Sequence, residues 1–297
     1  MTLRIGTRRS PLALAQAAEV ANALAASGVQ SELVPMTTSG DRGAPASSDP
    51  AGLKGLFVAE IVRALRDGAV DLAVHSAKDL PALDEDDLAI AAVPERASAL
   101  DVLVTREPDL PNGSRIGTSS VRRRAQVRRW RPDVEVVEIR GNVDTRLRKL
   151  DHGDVDALVV AAAGLVRLGI VPPNASPMSI AEMVPAPGQG CLAIQVRADD
   201  RDTRAAIEPL DHAPSRDALE AERGLMQRLG GGCALPLGAF AELGDAGIRL
   251  TAIVLSPDGD RLARTRVEAV TASDAAERAA GELFAAGAAE ILSAAGE

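Results

Sequence analysis

The segment His75-Ser76-Ala77-Lys78-Asp79-Leu80-Pro81 follows an apolar run and places a lysine and a carboxylate where a strand should end. That is the edge of an open α/β sheet at which ligands collect. A Lys–Asp pair on a loop is by itself a common surface feature. In a cleft rich in cations, however, the Asp79 carboxylate stays ionised and can offset a developing positive charge or carry a proton. The cations lie downstream. Between Arg115 and Lys149 stand eleven basic and four acidic residues, in a chain of net charge -9. Arg124, Arg128, Arg129 and Arg131 fit a solvated helix face. Arg122, Arg123, Arg140 and Arg146 instead fall near helix starts just after strand ends. There, free N–H groups and guanidinium forks together make sites for carboxylate or phosphate. Thr118, Ser119 and Ser120 add hydroxyls, and Arg8, Arg9 and Ser10 form a matching set near the N-terminus. Two facing anion sites imply a ligand with several carboxylates, gripped between two lobes.

Cys233 follows three glycines and precedes Ala234-Leu235-Pro236. Those glycines predict a loop whose backbone comes close to something else and leaves the sulfur accessible. Thiolate character near arginines would make it a nucleophile or an attachment point. Cys191 opens an apolar run and reads as core. With two cysteines there is neither a disulfide framework nor a zinc site, and His75, His152 and His212 have no ligand spacing, so no metal is expected. No Walker loop and no Gly-x-Gly-x-x-Gly fingerprint is present, which weakens a nucleotide reading.

The elements that must position these residues alternate. Leu3–Thr7 reads as a strand, and Ser10 with Pro11 as the start of a helix bearing Leu14, Ala18, Ala21 and Ala25. Ser31–Met36, Val70–His75 and Leu88–Val93 read as further strands, with a helix carrying Phe57, Ile61 and Leu65 between them. Arg4-Ile5-Gly6-Thr7 recurs as Arg115-Ile116-Gly117-Thr118, each copy ending a strand and opening a helix. The second lobe then has strands near Val102–Thr105, Val134–Ile139 and Ala157–Ala161, and helices from Ser119 and Asn142. This pattern is α/β, with helices covering mostly parallel sheets. From a helix over Ser215–Leu229 onward the pattern changes. Strands at Leu237–Leu243, Ile248–Leu255 and Leu262–Glu268 joined by tight turns predict a small antiparallel α+β unit. Pro185–Gly190 reads as a crossing linker, and Gly40–Gly52 as a loop able to act as a lid.

At 297 residues, two or three domains are expected. An acidic balance argues against wholesale binding to nucleic acid or an anionic membrane. Aromatic content of 1%, with no tyrosine, argues against base-stacking platforms. The longest apolar run, Leu158–Val166, is too short to span a bilayer. Arg8-Arg9 ahead of an Ala/Leu-rich stretch imitates a signal peptide, but Gln16 and Glu19 interrupt it, and a reducing cytoplasm fits better.

Seven stretches, in order across nearly the whole chain, carry a resemblance: Arg4–Ala15, Lys54–Phe57, Asp71–Pro81, Gly117–Arg123, Arg140–Leu150, Pro185–Gly190, and Gly231–Cys233 with Leu235-Pro236. Together they resemble the porphobilinogen deaminase (hydroxymethylbilane synthase) family. The resemblance implies two lobes like those of type II periplasmic binding proteins plus a small C-terminal α+β domain. The divisions would be 1–95 with 190–210, 98–186, and 212–297. It also implies a cytoplasmic, monomeric transferase of tetrapyrrole biosynthesis with porphobilinogen as substrate. Four molecules are joined head to tail with loss of ammonia, and hydroxymethylbilane is released by hydrolysis. A dipyrromethane cofactor would be fixed by a thioether to Cys233. Asp79 would be catalytic, assisting deamination and stabilising cationic pyrroles. Lys78, Asp79, Thr118, Ser119, Ser120, Arg122 and Arg123 would hold the cofactor. Arg8, Ser10, Arg140, Arg146, Arg167 and Gln189 would hold substrate and the growing chain. Each pyrrole bears an acetate and a propionate, which accounts for the arginines. Departures from the family pattern are Ala77 where Met is common, Ala234 where a polar residue is common, and Leu53 where Gly is frequent. The rival reading of the same scaffold is an organic-acid-binding protein; a second rival is a nucleic-acid binder using the Arg115–Lys149 patch.

Overall fold

The computed structural model describes residues 2–37, 50–83, 85–230 and 236–295. In chain order the elements are β1 (Thr2–Arg8), α1 (Pro11–Ala26), β2 (Gln30–Met36), α2 (Pro50–Arg66), β3 (Leu72–Ser76) and β4 (Leu88–Ala92). There follow β5 (Asp101–Thr105), β6 (Arg115–Gly117), α3 (Val121–Trp130), β7 (Glu135–Val137), α4 (Val143–Asp151), β8 (Ala157–Ala161), α5 (Ala162–Arg167) and β9 (Ala175–Pro177). The chain ends with β10 (Leu192–Arg197), α6 (Arg201–Ile207), α7 (Ala213–Arg228), β11 (Leu237–Gly244), β12 (Gly247–Leu255), β13 (Leu262–Ala269), α8 (Ala272–Ala285) and α9 (Ala288–Ala295). A short 3-10 turn, Ala77–Asp79, continues β3.

Two five-stranded sheets share one plan, β2-β1-β3-β10-β4 and β7-β6-β8-β5-β9. In each, the first three strands are parallel, and an antiparallel strand fed by a crossover, β10 or β5, follows the third. The repeated tetrapeptide explains the likeness residue by residue. Arg4 places its backbone N–H (2.8 Å) and its guanidinium on Asp71, the residue just before β3. Arg115 does the same on Asp156, just before β8. The glycines of the repeat leave room for side chains of and beside the next strand: a Cβ on Gly117 would sit 2.9 Å from Leu158, and one on Gly6 3.1 Å from Val70. Because Asp71 turns to clamp Arg4, β3 starts at Leu72 rather than at Val70.

Each lobe buries apolar strand faces beneath its helices, as an α/β layer must. Ser10 caps α1, its Oγ accepting from the Ala13 N–H, and Ser120 caps α3 by accepting from the Arg123 N–H. Both caps fix where the following side chains begin. The crossing segments before β5 and before β10 run side by side. Gly190 (φ +89°) permits this, since a Cβ there would lie 2.3 Å from the Ala97 carbonyl.

The C-terminal domain is an antiparallel β11-β12-β13 sheet with α7, α8 and α9 packed on it. α7 begins at Ala213, two residues earlier than its sequence suggests, because Pro214 suits a helix's first turn. Arg128 and Arg129 are not merely solvated. They donate to the carbonyls of Pro257 (2.8 Å) and Gly259 (3.3 Å), docking α3 on the β12–β13 turn. Cys191 is buried, as expected of a core cysteine, and burial pushes its thiol up to about 12.

Candidate active site

The first lobe brings three chain segments to the cleft. The end of β1 carries Arg8, the start of α1 carries Ser10 and Gln16, and the end of β3 carries His75, Ser76, Lys78 and Asp79. From the second lobe come Arg123 on α3, Asn142 and Arg146 at the start of α4, and Arg167 at the end of α5. They enclose a cavity of about 260 Å³. Among the described residues, five cationic side chains (Arg8, Lys78, Arg123, Arg146 and Arg167) thus surround one carboxylate, Asp79.

Behind this wall lies a buried polar cluster. Asp101, at the start of β5, is fully buried and pairs with Arg122 (2.8 Å) and Arg123 (2.7 Å). Gln189, on the second crossing segment, donates to Asp101 Oδ1 at 2.8 Å and to the Ala99 carbonyl at 2.7 Å. Its own Oε1 stands 3.5 Å from both Lys78 Nζ and Arg123 Nη2. Burial would raise the Asp101 carboxyl, but Arg122 and Arg123 outweigh it and hold it well below the usual carboxylate range. Burial, with Arg123 beside it, pushes the Lys78 ammonium down to about 8 against the opposing pull of Asp79 and Asp101. Burial and Arg123 also lower Arg146. Among the described residues Arg146 forms no ion pair. It donates to the Gly141 carbonyl (2.8 Å) and to Ser119 Oγ (3.1 Å).

Not every residue singled out in the sequence reaches the cavity. Arg122 turns inward, donating to the Val184 carbonyl at 2.6 Å. Thr118 is buried and accepts from the Ser120 N–H, so both organise the α3 start. Gln189 stands one layer back. Arg140 lies outside, its side chain 69% exposed and paired with Glu138 at 2.7 Å. Cys233, and residues 40–49 of the expected lid, lie outside the described residues. Sequence reasoning missed Asp101, which carries no motif, and Gln16, which sits one turn past Leu12 on the cleft face of α1. It gave His75 no ligand role. His75 does line the cavity, and burial holds its imidazole down to about 4, hence neutral.

The sequence profile described as "Porphobilinogen deaminase, dipyromethane cofactor binding domain" matches residues 3–205, and "Porphobilinogen deaminase, C-terminal domain" matches residues 217–285. The chain belongs to the porphobilinogen deaminase family. Two relatives named porphobilinogen deaminase are similar over most of their length. One, from Syntrophobacter fumaroxidans, is 46% identical over 268 residues, covering 88% of this chain and 87% of the relative. The other, from Brevibacillus brevis, is 43% identical over 266 residues, covering 87% and 86%. Among solved structures, the methionine-binding protein MetQ aligns with a TM-score of 0.44 at 13% identity, over 70% of this chain and 89% of that one. A periplasmic substrate-binding protein from Coxiella burnetii gives 0.42 at 17% identity, over 72% and 93%. Those two likenesses are loose and carry no functional weight.

The cleft fits the group that this family's first domain binds. Crowded cations, one of them without an acidic partner among the described residues, call for a ligand with several carboxylates. No helix among the described residues is long and apolar enough to cross a membrane.

Proposed function

We propose that this chain joins four porphobilinogen molecules head to tail, releasing ammonia at each joining, and then frees hydroxymethylbilane by hydrolysis. The observation that supports it is the single carboxylate, Asp79, set among five cations in the cleft between the lobes. We assign Arg8, Ser10, Arg146 and Arg167 to the acetate and propionate groups of substrate and growing chain, with Arg140 at the outer rim and Gln189 behind. Lys78 and Arg123, with Ser119 beside Arg146, take the cofactor's carboxylates, and Thr118, Ser120 and Arg122 shape that wall. The dipyrromethane cofactor, held by a thioether to Cys233 in this reading, supplies the primer end for the first joining.

The rest is done by the chain's own groups. Guanidinium forks orient each ring through its carboxylates, so that reacting atoms meet in one geometry. Among the described residues lining the cavity, Asp79 is the carboxylate placed to offset positive charge on a pyrrole or to hold a proton during ammonia loss. The lobes exclude bulk water, which strengthens these interactions. The same scaffold could serve an organic-acid-binding protein, but membership of a deaminase family disfavours that reading. We divide the chain at 1–95 with 190–210, 98–186, and 212–297, following its three sheets. We further read it as a cytoplasmic monomer.

Asp79→Asn tests the assignment. The variant should keep the wild-type melting temperature and lose about 10²–10³-fold in kcat; undiminished turnover would overturn it. Intact-mass analysis tests the attachment. The wild-type peptide holding Cys233 should carry a dipyrromethane adduct that Cys233→Ser lacks, and an unmodified peptide from active protein would refute it.

A further inference from the structure

Arg167 reaches the cleft from α5 and is nearly buried, its side chain 6% exposed. Its Nε donates to Glu19 Oε2 at 2.8 Å, while its Nη2 reaches Glu19 Oε1 at 3.4 Å and the Gly190 carbonyl at 3.2 Å. Glu19 belongs to α1, in the opposite lobe, and its side chain is 43% exposed. One edge of the guanidinium fork is therefore held by a carboxylate in the two-pronged geometry that a bound carboxylate would use. Gly190 lies on the crossing segment before β10, so the same arginine touches both lobes and the hinge between them.

We propose that Glu19 is a positioning residue for Arg167: an internal carboxylate that latches the lobes by occupying the fork a substrate carboxylate must take. This rests on the reading of Arg167 as a substrate site. An arriving carboxylate exchanges with Glu19, so Arg167 never stands buried with its charge uncompensated. Glu19, released, finds water at once because it is already half exposed. Since the pair spans the lobes, filling Arg167 also frees them to separate. Ligand arrival and lobe opening are thereby linked, each favouring the other. The latch lowers affinity, because only the unlatched fraction accepts substrate.

Glu19→Gln keeps the side chain's size and removes its charge. We expect its KM for porphobilinogen to fall about two- to fivefold, the range of a partly exposed ion pair. Arg167→Gln should raise KM, and adding Glu19→Gln to it should change nothing further. A second readout needs no substrate: phenylglyoxal modification of Arg167, followed by peptide mass spectrometry, should be faster in Glu19→Gln than in wild type. An unchanged or higher KM in Glu19→Gln, an effect that persists beside Arg167→Gln, or an unchanged modification rate would each overturn the latch. Those results leave the substrate role of Arg167 standing. A wild-type KM in Arg167→Gln would overturn that role, and the latch with it.

Discussion

Lys78 sits where two demands conflict. Its ammonium is useful to a carboxylate ligand only while protonated, yet burial beside Arg123 pushes it down to about 8. In the free protein it is therefore a cation at neutral pH and loses that charge just above. The pH profile of cofactor loading onto the cofactor-free chain should decline above about pH 8. Lys78→Arg keeps the charge at any accessible pH and should move that alkaline limb upward by more than about one unit. The same limb in both proteins would show that another group controls it. Stability moves the other way. The folded value lies below the ordinary 10.5, so between about 8 and 10.5 the unfolded chain binds more protons. Stability withheld by the buried ammonium below that window is recovered as pH rises through it. Neighbouring positions show why such detail is hard to read in advance. Arg122 and Arg123 are adjacent in a tandem pair, but successive residues on a helix point about 100° apart. One faces the cleft and the other the interior, and nothing in the pair itself says which.

At the scale of elements, β5 begins with the residue on which the cationic wall depends. Asp101 binds Arg122, Arg123 and Gln189 at once, joining a strand start, a helix start and a crossing segment. Asp101→Asn would leave two buried guanidinium groups short of their counter-charge, a loss of about 3–5 kcal/mol. The sign with pH follows from a folded value held below the ordinary 3.8: the contribution is present above it and disappears as pH falls through the folded value. Chemical denaturation should find the gap between variant and wild type widest near neutrality and shrinking in acid; a gap independent of pH would remove the charge argument. Helix starts were open to sequence reasoning because their signals are local, as with Ser10 ahead of α1 and Asn142 ahead of α4, and to within a residue at α3, expected from Ser119 and capped by Ser120. The two-lobed plan was open as well, since one tetrapeptide occurs twice and brings its aspartate clamp with it. Asp101 was not, because its partners lie 21, 22 and 88 residues away and become neighbours only when the chain crosses back. Arg128 and Arg129 escaped for the same reason: their acceptors are carbonyls about 130 residues downstream.

Across the whole molecule, three bodies meet at one buried ion pair. Arg96, on the first crossing segment, binds Glu222 of α7 at 2.8 Å, donates to the Gln189 carbonyl at 2.9 Å, and lies 5.3 Å from the centre of the Phe240 ring. Glu222 accepts in turn from the Gly188 N–H at 2.6 Å and the Ala241 N–H at 2.7 Å. Both crossing segments are thus tied to the C-terminal domain, whose α7 ends at Arg228, shortly before Cys233 in the sequence. Glu222→Gln can satisfy an N–H donor but cannot balance the buried guanidinium, so the cost should again be about 3–5 kcal/mol. For a chain of this size that is roughly 6–20 °C in melting temperature. The form of the transition is more telling than its midpoint. If this pair couples the C-terminal domain to the lobes, calorimetry of Glu222→Gln should resolve a separate early transition where wild type shows a single one. A variant that melts at a lower temperature, still in one step, would mean that the docking of Arg128 and Arg129 on the β12–β13 turn suffices to keep the three bodies together.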